Sequence, residues 1–121
     1  MTVWPWFAAL VAGGFGAVLR FTIDRFVMSR TGGSFPWGTF TVNVTGSLVL
    51  GTLAGLALPA SLALIAGTGI VGSYTTFSTW MLESHRLGEE RQRRLAAINV
   101  CASIALGVLA AAFGQYIGEH L

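Results

Sequence analysis

The stretch Gly72-Ser-Tyr-Thr-Thr-Phe-Ser-Thr-Trp80 decides how this chain is read. It puts five serine and threonine hydroxyls and a glycine into a segment that begins as an apolar run, Leu62 to Val71. Polar or irregular backbone at membrane depth persists only where it is packed in protein or lines a watery path. The stretch therefore predicts an interrupted transmembrane helix, and an ion or substrate route is the first chemistry to consider.

The rest of the chain agrees with a membrane setting. It has 121 residues, 54% hydrophobic and only 10% charged. Soluble domains carry about a quarter charged residues. The composition predicts an all-α membrane protein, one domain over residues 1–121, with no soluble module. All seven basic residues are arginine. They cluster between the apolar blocks, so the basic balance speaks about membrane topology rather than nucleic acid.

Charges divide the sequence cleanly. Thr2–Leu19, Thr31–Leu82 and Leu95–Gly118 are uncharged, and Arg20–Arg30 and Glu83–Arg94 hold the charges between them. A helix needs about 20 residues to cross the hydrocarbon. The first and last blocks supply one span each, and the long middle block supplies two. Leu58-Pro59-Ala60-Ser61 divides the middle block, because proline ends one helix and suits the start of the next. Four helices follow, at about residues 4–28, 37–57, 61–83 and 94–118. The N-terminal apolar block lacks a basic leader and is too long for a signal-peptide core, so it reads as a retained helix. Cys101, the single cysteine, reads as a small buried core residue.

Four spans put both termini on one side with the Pro59 turn, where there is no arginine. The other side holds Arg25, Arg30, Arg86, Arg91, Arg93 and Arg94, with Arg20 at its membrane edge. The positive-inside rule predicts cytoplasmic charged loops and external termini.

Polar residues recur inside the apolar blocks. Thr39, Asn43 and Ser47 share one face of the second span, and Asn99 and Ser103 share a face of the fourth. Asn43 is costly in hydrocarbon and must find partners. Two readings stand side by side: structural glue between helices, or a donor facing a polar path. With Thr75, Thr76, Ser78 and Thr79 of the third span, these residues form a candidate track of donors suited to a small anion. Gly67, Gly69 and Gly72, followed by Thr75, Thr76, Ser78 and Thr79, favour a broken helix, whose two ends would expose carbonyls and N–H groups. Phe77 and Trp80 share a face there. They read either as packing or as positive ring edges turned toward an anion. Arg20 reads as a snorkelling interfacial arginine or as a source of positive potential at a pore mouth. Asp24, Glu83, Glu89, Glu90 and Glu119 read as solvated flank charges paired with nearby arginines.

Through nearly its whole length the chain resembles the Fluc (CrcB) fluoride channel family. The resemblance rests on Gly13-Gly-Phe-Gly-Ala-Val-Leu-Arg20, Gly38-Thr-Phe-Thr-Val-Asn-Val-Thr-Gly-Ser47 and Gly72-Ser-Tyr-Thr-Thr-Phe-Ser-Thr-Trp80, in that order and spacing. It implies an antiparallel dimer of four-helix subunits with a broken third helix. It also implies passive export of fluoride across the bacterial cell membrane, relieving fluoride toxicity. Asn43, Phe77, Ser103 and Arg20 match family pore positions. The carbonyls of Gly72 and Thr75 match those that hold a structural sodium ion. Two positions depart from the pattern: Trp80 stands where phenylalanine is usual, and Asn99 where tyrosine is frequent. Trp80 is large enough to narrow the pore it enters.

Some family members pair with themselves in both orientations, and others with an oppositely inserted paralogue. The arginine asymmetry favours the second arrangement for this chain, with the homodimer as the alternative. Two other functions compete: a subunit that completes a partner's pore without conducting, and a small multidrug-type transporter. The transporter needs a membrane-embedded acid, which the apolar blocks lack. No nucleophile–base constellation, metal-ligand cluster or nucleotide loop suggests an enzyme.

Overall fold

The computed structural model describes residues 2–121. Within them, four helical segments are long and apolar enough to cross a membrane: Trp4–Thr31, Trp37–Leu56, Ala60–Glu89 and Arg93–Glu119. The first two are α1 and α2. The third segment is interrupted, giving α3 (residues 60–74) and α4 (Ser78–Glu89). The last is α5, Arg93–Glu119.

The four expected spans are present, with two boundaries moved. The first helix runs to Thr31 rather than residue 28, and stops at Gly32, where φ is +63° and the N–H donates to the Met28 carbonyl. Glycine adopts that conformation without steric cost. The third span runs to Glu89 rather than residue 83. Its charged last turns stay helical because His85–Glu89 and Arg86–Glu90 pair at i,i+4 spacing.

The glycine-rich run Leu64–Val71 remains helical but is wound with i→i+5 hydrogen bonds, as a π-helix. Such widened turns cluster at functional sites. The helix is lost later, at residues 75–77.

Packing follows membrane logic. Side chains such as Phe7, Leu10, Val11, Val18 and Leu109 face outward, while small residues fill the helix contacts. A methyl group on Gly51 would strike the Ala111 carbonyl, and one on Gly114 the Leu48 carbonyl. The backbones of α2 and α5 therefore touch directly, which gains dispersion contacts where lipid offers no hydrophobic driving force. Gly16 does the same for α1 against the Ile70 carbonyl of α3. Cys101, expected in the core, is instead exposed. It lies on the outward face of α5, away from the glycine seam.

The two charged loops lie at one end of the bundle. Arg86 Nη2 donates to the Ser34 carbonyl at 3.2 Å, and Gln92 Nε2 to Ser34 Oγ at 3.1 Å. The expected gathering of the arginine-bearing loops at one end is thus a property of the fold.

Candidate functional site

The break has a specific chemical origin. Asn43 Oδ1 accepts a hydrogen bond from the Thr76 N–H, and Asn43 Nδ2 donates to the Thr76 carbonyl, both at 2.8 Å. In an unbroken helix the Thr76 N–H would go to the carbonyl of Gly72. The next diversion is local: the Thr79 N–H turns to Thr76 Oγ1 at 3.2 Å, which caps the start of α4. In an unbroken helix it would reach Thr75. Thr75 itself is extended, with φ −81° and ψ 160°. Among the described residues, no backbone N–H across the break reaches the Gly72 or Thr75 carbonyl. Both carbonyls thus lack a backbone donor near the middle of the third span.

Asn43 therefore does hold helices together, and it does so at the break. One Nδ2 hydrogen remains beyond its bond to Thr76, and Asn43 lines a groove of about 480 Å³. Ser47, Thr75, Thr76, Phe77, Trp80 and Ser103 line the same groove. The structure thus brings together expected residues from α2, the break, α4 and α5. Phe77 is 70% exposed and meets Trp80 edge to face, with ring centroids 5.7 Å apart. Edge-to-face geometry turns the positive rim of one ring toward the other's face.

A second cavity of about 200 Å³ lies on the other side of Thr76. Arg20, Asp24, Thr39 and Thr79 line it. Thr76 lines both spaces, and Asn43, bonded to it, lines the groove. Arg20 is half-buried and sits at this cavity. Ser78, also expected at the site, is exposed and lines neither space.

Several expected donors are already committed. The Thr39 hydroxyl donates to Glu83 Oε1 at 2.5 Å. The Ser47 hydroxyl donates to the Asn43 carbonyl at 2.8 Å. Trp80 Nε1 donates to the Asn99 carbonyl at 3.1 Å. Asn99 itself is fully buried outside the groove, with Nδ2 on Ser84 Oγ at 2.8 Å. Placing Asn99 on the donor track was therefore wrong: the amide turns toward α4 and ties it to α5. The donors left at the groove are the second Asn43 N–H and the Thr76 hydroxyl, with the Ser103 hydroxyl buried and unpartnered beside them.

The acids also differ from expectation. Only Glu90 pairs with an arginine among the described residues, through Arg86 at 3.0 Å. Glu89 meets His85 instead, at 2.6 Å. Glu83 is half-buried against Thr39, and Asp24 packs on Gly38. The Glu83 contact was not legible in the sequence, because 44 residues separate the partners. The absence of a side chain at Gly38 was its only local sign for Asp24.

Residues 7–115 match the model of a family described as CrcB-like protein, Camphor Resistance (CrcB). This chain belongs to the CrcB-like family. A relative in Mycobacterium bovis, named Fluoride-specific ion channel FluC 2, is 56% identical over 119 residues, covering 98% of this chain and 94% of its own. A protein of the same name in Mycolicibacterium paratuberculosis is 52% identical, covering 98% and 97%. Fluoride-specific ion channel FluC 1 of Symbiobacterium thermophilum is 42% identical, covering 93% and 96%. Within this CrcB-like chain, the break and the groove are the features built from its most unusual membrane sequence.

Proposed function

We propose that this chain is a subunit of a fluoride-selective channel that passively exports cytoplasmic fluoride. The observation that carries the reading is the groove at the break, where Asn43, Phe77, Trp80 and Ser103 converge. It occurs in a chain 56% identical to a protein named a fluoride-specific ion channel. Fluoride is small and strongly hydrated, so a path must replace water with hard donors at little net cost. The free amide hydrogen of Asn43, the hydroxyls of Thr76 and Ser103, and the ring edge of Phe77 supply that replacement. No full positive charge lines the groove to trap the ion. Selectivity over chloride follows from bore and from hydrogen-bond donors suited to the smaller ion.

The groove volume argues for a second chain. One water occupies about 30 Å³ of liquid, so a space of about 480 Å³ cannot strip hydration by itself. A partner closing over Phe77 would narrow it and cover a ring that is otherwise 70% exposed. The arginine asymmetry fits a pair of unlike chains: this chain inserts with both termini outside, and an oppositely oriented paralogue completes the pores.

The freed carbonyls of Gly72 and Thr75 fit a hard monovalent cation, which prefers neutral oxygen ligands. In the closed dimer these residues would hold sodium. The ion would satisfy carbonyls that otherwise lack donors and add positive potential at the centre. Transport itself needs no energy coupling. Hydrofluoric acid enters from an acidic exterior and dissociates, and the inside-negative potential drives the anion out by roughly 2.3 kcal/mol per 100 mV.

Growth of a fluoride-hypersensitive bacterial strain tests the reading. Expression of this chain, with its paralogue where one exists, is expected to restore growth in fluoride, and Asn43→Asp is expected to abolish the rescue. Rescue undiminished by Asn43→Asp would sink the assignment of the groove.

A further inference from the structure

Among the described residues, Ser103 Oγ is the buried serine or threonine oxygen without a hydrogen-bond partner. Thr45, Ser47, Thr52, Thr75 and Ser84 each donate to the carbonyl four residues back. That bond is the usual fate of a helical hydroxyl away from water. Ser103 lies in the middle of α5, is 91% buried, and has no hydrogen-bond partner among the described residues. The carbonyl four residues back is that of Asn99. A carbonyl oxygen has two lone pairs. One receives the helical N–H of Ser103. The other receives Trp80 Nε1, at 3.1 Å.

We propose that Trp80 is a positioning residue: its indole N–H occupies the Asn99 carbonyl and so leaves the Ser103 hydroxyl, buried and unpartnered in the single chain, free to turn as a donor toward an ion in the groove. Ser103 and Trp80 both line that groove. The Asn99 side chain supports the arrangement. Its Nδ2 holds Ser84 Oγ, and Ser84 Oγ donates to the Trp80 carbonyl at 2.9 Å, so the backbone carrying the indole is fixed to α5. The inference rests on the fluoride reading and gives Trp80 a role other than bulk. A phenylalanine at this position has no N–H. The Ser103 hydroxyl would then fold back onto Asn99 and cease to donate.

A double-mutant cycle tests this on the functional dimer in liposomes, with fluoride efflux compared for wild type, Trp80→Phe, Ser103→Ala and the double variant. Bore changes caused by Trp80→Phe cancel, because each Ser103→Ala effect is taken within its own background. The expected result is a loss of at least about twofold from Ser103→Ala in the wild-type background, and little further loss once Trp80 is phenylalanine. Equal fractional losses in both backgrounds would overturn the role of Trp80. So would unchanged efflux on Ser103→Ala alone. Wild-type dimer without fluoride efflux would instead overturn the fluoride reading, and is distinguishable from both. Monodisperse elution of every variant confirms that folding is not the variable.

Discussion

Asn43 engages both backbone groups of Thr76, accepting from its N–H and donating to its carbonyl at 2.8 Å each. A side-chain amide here replaces the helical ladder at the one place where the third span gives it up. Asn43→Asp keeps the acceptor but loses the donor, and it faces the Thr76 carbonyl with a carboxylate oxygen. Leaving one buried group unmade costs about 1–3 kcal/mol, and more where charge is involved. The variant is expected to lose efflux and to unfold in detergent at lower temperature, as read by thermal aggregation. Wild-type stability would show that the break is held by something else.

The glycine seam makes a paired prediction. At Gly114 an added methyl group strikes the Leu48 carbonyl, whereas at Gly14 nothing lies within 4 Å. Overpacking costs about 1–3 kcal/mol where neighbours cannot move, and helix backbone is such a neighbour. Gly114→Ala should lower the yield of folded protein on size-exclusion chromatography. Gly14→Ala should leave it equal or raise it slightly, since alanine favours helix over glycine by about 0.5–1 kcal/mol.

Phe77 separates function from folding. It is 70% exposed in the single chain and makes one ring contact, with Trp80. Phe77→Ile is expected to change subunit stability by less than about 0.5 kcal/mol while abolishing fluoride efflux, because an aliphatic side chain has no positive edge. Retained efflux would remove the ring from the conduction path.

Much of this was legible in the sequence, for identifiable reasons. Charge blocks locate helices well because hydrocarbon excludes charge. They locate helix ends poorly, so Glu83–Glu89 continued as helix through its own i,i+4 pairs. The glycines and the hydroxyl run that follows them marked the interrupted segment: residues 64–71 widen into π-helix, and the helix is lost among the hydroxyls, at residues 75–77. The break at residues 75–77 depends on Asn43, a residue 33 positions away from Thr76, and no local pattern encodes that pairing. Asn99 and Ser103 showed the converse. Their spacing correctly put them on one helix side, yet an indole N–H from α4 divided their roles.

The arginine distribution predicts orientation. A periplasm-active reporter fused after Leu121 should be active and a cytoplasm-active reporter silent. Equal activity of both would mean dual insertion, and a homodimer would replace the paralogue pair.

The most direct measurement is ion-selective electrode recording of fluoride and chloride leaving liposomes that contain this chain, alone and with an oppositely oriented paralogue. The account predicts rapid, potential-driven fluoride efflux in at least one of the two preparations, chloride retained, and the fluoride signal lost with Asn43→Asp. Chloride leaving as fast as fluoride, or no fluoride efflux from either preparation, would contradict it.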